Sequence, residues 1–201
     1  MPDPSDPLRQ FADTSCSLHA LALALEQRDS YTDSHCDRVC RLARLLGQRL
    51  DLDRDRLDHL AVAARFHDVG KIGVRDDVLL FPGRLDEAKR AAMHAHSELG
   101  ERLFLATGRD DAVPVAAIIR SHHETFDGSG YPDGLAGTAI PLEARILSVA
   151  DRYDALTSLR PYRAPLGAHA AMAVLDGESG HKIDPDVFRK LQVLLRRHSH
   201  L

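Results

Sequence analysis

The sequence predicts an all-α fold, a single bundle of helices with long loops. Apolar residues recur at helical spacing in most segments, as at Val39, Leu42 and Leu46, and strand-like alternation is nearly absent. Two connections rich in glycine and proline, 70–84 and 124–141, interrupt this pattern. The second connection is long for a structureless loop in a compact domain, and loops of that length are usually functional or disordered.

The helical segments follow one another along the chain. Leu18, Leu21 and Leu25 mark the first segment, and the repeat that begins at Val39 marks the second. The remaining predicted segments are 56–66, 86–106, 112–122, 142–158, 167–177 and 185–197. Gly70 and Pro82 lie in the break after the third segment, because neither residue favours a helix interior. Four glycines and two prolines separate the fifth from the sixth.

The composition is that of one ordinary globular domain. The chain has 201 residues, 44% hydrophobic and 28% charged, enough for a full core. We expect a polar N-terminal segment at 1–14 and one domain at 15–201. No run approaches the roughly 18 apolar residues of a membrane helix, and the N-terminus lacks the pattern of a secretory signal. We therefore expect a cytoplasmic protein without membrane contact.

Charge and cysteine usage exclude further classes. The net charge is −4, which argues against a polymeric nucleic acid as partner, because such binding needs a basic stripe. The three cysteines lack the spacing of a thiolate metal cage. We interpret Cys36 and Cys40 as small buried side chains.

Histidines and aspartates in helical contexts are the candidate metal ligands. The chain holds 12 histidines. Several of them we interpret as scattered surface residues: His19, His59, His94, His169, His198 and His200. The candidate ligands are His35, His67, Asp68, His96, His122, His123 and Asp151. In isolation, we would interpret the pair His67-Asp68 as a capped helix end. Because the other candidate ligands accompany it, a metal site is the better interpretation.

The adjacent pair His122-His123 predicts two metal ions. Neighbouring helical residues point about 100° apart, so the two imidazoles are suited to different ions. Asp68 is the natural bridge, because a carboxylate offers two oxygens and an imidazole one lone pair. Such a positively charged centre suits a phosphodiester anion. A shell of imidazole and carboxylate without thiolate favours iron or manganese as the two divalent ions.

The order of these residues resembles the HD-GYP family. The chain carries His35 and Arg38, HDVGK at 67–71, His96, HHETFDGSGYPDGLAG at 122–137 and ARILSVADRYDALTSLRPYR at 144–163. The similarity covers about residues 26–188, and HHExxDGSGYP is its most specific part. Members of the family are bacterial cyclic di-GMP phosphodiesterases on the HD-domain helical fold. The resemblance implies hydrolysis of cyclic di-GMP to linear pGpG, with onward cleavage to GMP as a further expectation.

The resemblance also implies roles for individual residues. It makes the candidate ligands the metal ligands, with Asp68 as the bridge. It gives Lys71 a contact with the scissile phosphate. Arg160 and Arg163 match family residues that contact guanine and phosphate. Without the resemblance, we would interpret them as a solvated basic turn. Tyr131, in the GYP motif, would contact the nucleotide, and the loop around it could bind a protein partner. Without the resemblance, we would interpret Tyr131 as an aromatic side chain that fills a tight turn.

Other functions stay open alongside this one. The chain could be a non-catalytic module that binds cyclic di-GMP. The loss of a metal-ligating residue would favour this hypothesis, but all the candidate metal ligands are present in the sequence. It could instead hydrolyse another cyclic dinucleotide, such as a mixed guanine-adenine one. A homodimer is also left open. A third metal is not expected, because Tyr31 stands where family members with three metals carry a carboxylate.

Overall fold

Nine α-helices and two short 3-10 helices make up the part of the chain that the structure, a computed structural model, describes: residues 32–159 and 164–198. The α-helices are α1 (Thr32–Arg49), α2 (Arg54–Phe66), α3 (Asp76–Leu79), α4 (Glu87–His94), α5 (His96–Leu105), α6 (Ala112–Ser121), α7 (Leu142–Thr157), α8 (Ala168–Glu178) and α9 (Pro185–His198). The 3-10 helices are Val69–Gly73 and Gly137–Ala139. These residues include no strand, so the all-α prediction is confirmed.

Helix α7 is the centre of the bundle. Ile146, Leu147, Val149 and Ala150 are fully buried, and a helix that is apolar around most of its circumference belongs in a core. Helices α1, α2, α6, α8 and α9 all pack against it. Helix α1 also packs along α2, and α5 packs along α6. Asp151 therefore lies on the helix that most of the described fold surrounds.

Helix α2 carries the chain into the site. It begins at an N-cap, where the Asp53 carboxylate accepts a hydrogen bond of 2.9 Å from the Arg56 N–H. It ends at Phe66, and the 3-10 helix Val69–Gly73 turns the chain immediately afterwards. His67 and Asp68 therefore lie at the corner between the two helices, and both are buried.

The predicted helix 86–106 is two helices in the structure, and the break falls at Ala95. The side chains around the break compete for backbone carbonyls. His96 Nδ1 lies 2.7 Å from the carbonyl oxygen of Met93, and the Ser97 hydroxyl donates to the carbonyl of His94 at 3.1 Å. Such side-chain bonds to the backbone offer an alternative to the helical ladder. An uninterrupted helix was therefore the wrong prediction here.

The other boundaries differ less from the predictions. The connection 70–84 contains α3 and most of the 3-10 helix Val69–Gly73, so it is not wholly a loop. The remaining predicted helices within the described ranges agree with the structure in place and type. The predicted helix around Leu21 and the segment 1–14 lie outside those ranges. Across 32–159 and 164–198, no helix is both long enough and apolar enough to cross a membrane.

Gly70 allows the chain after Asp68 to pack backbone to backbone against α5. A Cβ at this position would lie 1.8 Å from the carbonyl oxygen of His96 and 2.5 Å from the nitrogen of Gly100. Backbone atoms cannot move aside as the end of a flexible side chain can. The absence of a side chain at Gly70 is therefore what brings Asp68 next to the start of α5.

Gly70→Ala is expected to lower the free energy of unfolding by about 3 kcal/mol, the upper part of the usual range for overpacking. Gly177→Ala is the matched control, because a Cβ there meets nothing within 4 Å and the residue lies inside α8. Gly177→Ala should leave the free energy of unfolding unchanged or raise it by up to about 1 kcal/mol. Urea unfolding measures both, and equal midpoints for the two variants would contradict the close approach at Gly70.

Candidate metal centre

The structure brings all the candidate ligands together at one place. They form two groups, and the ligand atoms within each group lie within 4.8 Å of one another. One group is Asp68, His96, His122 and His123, and the other is His35, His67 and Asp151. They come from α1, the end of α2, the start of α5, the end of α6 and α7. Residues far apart in sequence thus converge on a single buried region.

Asp68 lies between the two groups. Its Oδ2 is 3.5 Å from Nε2 of His67, and its Oδ1 is 3.5 Å from Nε2 of His96. The two oxygens of one carboxylate thus face different groups, as a bridging ligand requires. Lys71 Nζ donates to Oδ2 at 2.7 Å. Burial raises the pKa of Asp68, but the Lys71 ammonium, with the surrounding imidazoles, outweighs burial and holds that pKa well below its usual range.

Backbone carbonyls set the tautomer of three of the histidines. In each case Nδ1 bonds to the carbonyl oxygen three residues earlier: His67 to Ala64 at 2.9 Å, His96 to Met93 at 2.7 Å and His122 to Ile119 at 2.6 Å. A carbonyl oxygen can only accept, so Nδ1 carries the proton, and in the neutral ring Nε2 keeps its lone pair. This is how metal-binding histidines are usually oriented. The helix ends therefore present Nε2 atoms ready to bind a cation.

His35 is oriented by a carboxylate instead. Its Nδ1 lies 2.7 Å from Oδ2 of Asp154, and its Nε2 lies 3.3 Å from Oδ1 of Asp151. Arg38 in turn donates to both oxygens of Asp154, at 2.5 and 3.0 Å. Burial lowers the pKa of His35, but the two carboxylates outweigh it and raise that pKa to about 9. A cation at Nε2 would take the place of the proton that these carboxylates favour.

Asp154 is a site residue that the sequence reasoning missed. It is buried, and its hydrogen bond fixes the orientation of the candidate ligand His35. A signal was present, because Asp154 follows Asp151 by three residues and residues at that spacing share a helix face. The spacing alone does not distinguish a metal-site carboxylate from a solvated one.

The donor set suits divalent cations. Burial lowers the pKa of His122 to about 3 and lowers the pKa of His96 and His123 as well, so these imidazoles are neutral. Nε2 of His96 and Nε2 of His122 approach to 3.4 Å, although neither carries a proton. Two lone pairs this close in a buried site call for a cation between them. Burial, and to a smaller extent the charge of Asp68, raises the pKa of the Cys36 thiol to about 12. Cys36 therefore stays protonated and adds no thiolate ligand to these donors.

The part of the connection 124–141 that carries Gly130, Tyr131 and Pro132, which we call the GYP loop, folds back against the end of α6, beside the ligands. The buried Glu124 carboxylate accepts hydrogen bonds from the N–H groups of Asp133, at 2.7 Å, and Leu135, at 3.0 Å. A Cβ on Gly130 would lie 2.3 Å from the nitrogen of Thr125, so the loop packs tightly there. The ring of Tyr131 consequently lies 4.8 Å from that of His123, centre to centre.

His94 is not a scattered surface residue, and that interpretation was wrong. Its imidazole stacks on Tyr131, with ring centres 3.7 Å apart and planes inclined by 5°. In a continuous helix His94 and His96 would point in nearly opposite directions, since residues two apart differ by about 200°. In the structure the helix breaks at Ala95, and both rings lie beside Tyr131. Arg160, Arg163 and Tyr31 lie outside the described residues.

Asp154→Ala is expected to weaken metal binding about 10- to 100-fold, the usual effect of removing the partner that orients a ligating histidine. The exposed Asp186→Ala is the control and should bind metal as the unchanged protein does. Metal affinity is measured by competition with a chelating dye, and unfolding curves check that both variants fold. An unchanged affinity for Asp154→Ala would contradict the role assigned to this carboxylate.

The chain is similar to known proteins over most of its length. The model of the HD domain family matches residues 19–187. The cyclic di-GMP phosphodiesterase response regulator RpfG of Xanthomonas campestris pv. campestris is 42% identical over 186 residues, which cover 92% of this chain and 48% of that protein. The 3'3'-cGAMP-specific phosphodiesterase 3 of Vibrio cholerae is 36% identical over 181 residues, covering 90% and 39%. The chain thus spans about half or less of the length of these relatives.

A solved structure supports the same fold. The HDG"Y"P protein from Bdellovibrio bacteriovorus superposes with a TM-score of 0.65, over 84% of this chain and 53% of that one, at 21% identity. At that level of identity the likeness concerns the fold alone. Together with the family match over most of the chain, it leads to one conclusion: the chain belongs to the HD domain family.

Proposed function

We propose that this chain is a metal-dependent phosphodiesterase that hydrolyses cyclic di-GMP to linear pGpG, with further cleavage to GMP as a second step. The observation that carries the proposal is the carboxylate of Asp68, buried between two groups of imidazole and carboxylate donors. The relative with 42% identity, named as a cyclic di-GMP phosphodiesterase, supports this substrate. HD-domain phosphohydrolases use divalent metals, and this donor set fits them.

The ligands of two ions follow from the two groups. One ion would be held by His35, His67 and Asp151. The other ion would be held by His96, His122 and His123, and Asp68 would bind both ions. We propose iron or manganese, because the donors are imidazole and carboxylate without thiolate. Two such ions would lower the pKa of an attacking water and stabilise charge that develops on the phosphate.

Lys71 is suited to contact the scissile phosphate. Its ammonium group lies 2.7 Å from Asp68, and its side chain is about one fifth exposed, so a substrate can reach it. As a compact cation it would attract the phosphate and remain beside the bridging carboxylate. The two roles are separable: Asp68 would hold metal, and Lys71 would hold substrate.

Substrate contacts outside the metal ligands come from the GYP loop and from the arginines after α7. Burial, together with Asp68 and Asp151, raises the pKa of Tyr131 above its usual value, so its hydroxyl stays protonated and can donate to the nucleotide. Arg160 and Arg163 would supply charge-assisted hydrogen bonds to guanine and phosphate. The exposed part of the GYP loop, around Ser129, would be the contact for a protein partner.

A second candidate substrate is a mixed guanine-adenine cyclic dinucleotide. The relative with 36% identity is named as a 3'3'-cGAMP-specific phosphodiesterase, which favours this alternative. Both substrates present phosphodiesters to the same metal centre, so the discrimination would depend on contacts with the second base. No donor of the two groups is missing from the chain, which argues against a module that only binds its ligand.

Asp68→Ala and Lys71→Ala should fail in different ways. Asp68→Ala should lose metal and hydrolysis together, with activity reduced more than 100-fold, because both groups lose their shared ligand. Lys71→Ala should keep its metal, while kcat/KM falls about 10- to 150-fold, the equivalent of one charge-assisted contact. The exposed Lys190→Ala on α9 is the control.

The measurement is hydrolysis of cyclic di-GMP and of 3'3'-cGAMP by manganese- or iron-loaded protein, with products separated by chromatography and metal determined by elemental analysis. Production of pGpG supports the proposal, and turnover of 3'3'-cGAMP alone supports the second candidate. Full activity of Lys71→Ala would contradict its assigned role. If zinc, but neither manganese nor iron, restored the activity of chelator-treated protein, the proposal of iron or manganese would be contradicted.

A further inference from the structure

The ring of Tyr131 is held by imidazoles. It stacks on His94 at 3.7 Å, is inclined by 32° to His123 at 4.8 Å and meets His96 edge-on at 6.3 Å, all between ring centres. The stack with His94 is the closest and most parallel of these contacts. Two of the partners, His96 and His123, belong to the candidate metal ligands, whereas His94 does not. His94 is therefore the residue whose main described contact in this region is the Tyr131 ring.

The backbone on either side of Tyr131 is fixed independently of its ring. The N–H of Tyr131 donates to the carbonyl of His123 at 3.3 Å, and the Asp133 N–H donates to Glu124 at 2.7 Å. Arg120 binds both oxygens of the Asp133 carboxylate at 2.7 Å. None of these bonds restrains the rotation of the phenol about its own side-chain bonds, so the orientation of the ring depends on what packs against it.

His94 has the position needed to set that orientation. It is the last residue of α4, it is half-buried, and its imidazole lies almost parallel to the Tyr131 ring. Parallel stacking of this kind covers one face of the phenol and leaves its edge and hydroxyl available. Within the described part of the chain, that hydroxyl makes no hydrogen bond. A ring held in this way can offer its hydroxyl to a ligand beside His123.

We propose that His94 is a positioning residue for substrate binding: by stacking on Tyr131 it holds the phenol at the edge of the metal centre, where the hydroxyl donates to the bound cyclic dinucleotide. This inference rests on the proposed function. His94 itself touches neither metal nor substrate, and it acts only through Tyr131. Its contribution is therefore to affinity and not to the chemical step.

Three variants test the stack. His94→Ala should raise KM for cyclic di-GMP about two- to tenfold, the effect of losing one ring pair, while kcat and metal content stay within twofold. His94→Phe keeps a flat ring and should return KM to within twofold of the unchanged protein. His169→Ala, at an exposed histidine of α8, is the control and should have no effect. An unchanged KM for His94→Ala, or a failure of His94→Phe to rescue it, would overturn the inference.

A double-mutant cycle separates positioning from other roles. In a Tyr131→Leu background, His94→Ala should no longer change KM, because the residue through which it acts is gone. An effect of the same size in both backgrounds would overturn the inference. If the unchanged protein does not turn over cyclic di-GMP, the proposed function fails; the stack is then tested alone by nuclear Overhauser contacts between Tyr131 and His123, which His94→Ala should abolish. Contacts that persist in that variant would contradict the positioning role.

Discussion

The buried carboxylate of Asp68 is the constraint on which the rest of the site depends. An ionised carboxylate removed from water is costly unless cations or hydrogen bonds compensate it. Lys71 supplies one compensating charge at 2.7 Å, and the imidazoles of both groups surround the remaining oxygen positions. The position of this single side chain decides whether the two donor groups act as one centre or as two unrelated clusters.

Much of the fold serves to hold that carboxylate in place. The end of α2 delivers it, Gly70 lets the following turn approach α5, and the start of α5 presents His96. The central helix α7 contributes Asp151 from the core of the bundle. Because helix ends converge here, backbone carbonyls are available to fix Nδ1 of the histidines and to point Nε2 inwards. Packing and ligand orientation are thus consequences of the same arrangement.

The sequence was sufficient for most of the helices and for the set of residues that come together at one place, because both follow from local patterns. Helical periodicity is a property of neighbouring residues, and the order of His67-Asp68, His96 and His122-His123 is specific enough to resemble a family. The break at Ala95 was not predictable in this way, since it depends on side chains that compete for carbonyls. His94 was misinterpreted because its partner Tyr131 lies in a loop far away in the sequence. Asp154 was missed because its partner His35 lies 119 residues away in sequence.

Anomalous scattering from crystals of the manganese-loaded protein shows whether two divalent ions share Asp68, as we propose. We expect two peaks per chain at full occupancy, one beside His35, His67 and Asp151 and the other beside His96, His122 and His123, with Asp68 in contact with both. A single peak, or two peaks of which only one contacts Asp68, would contradict it.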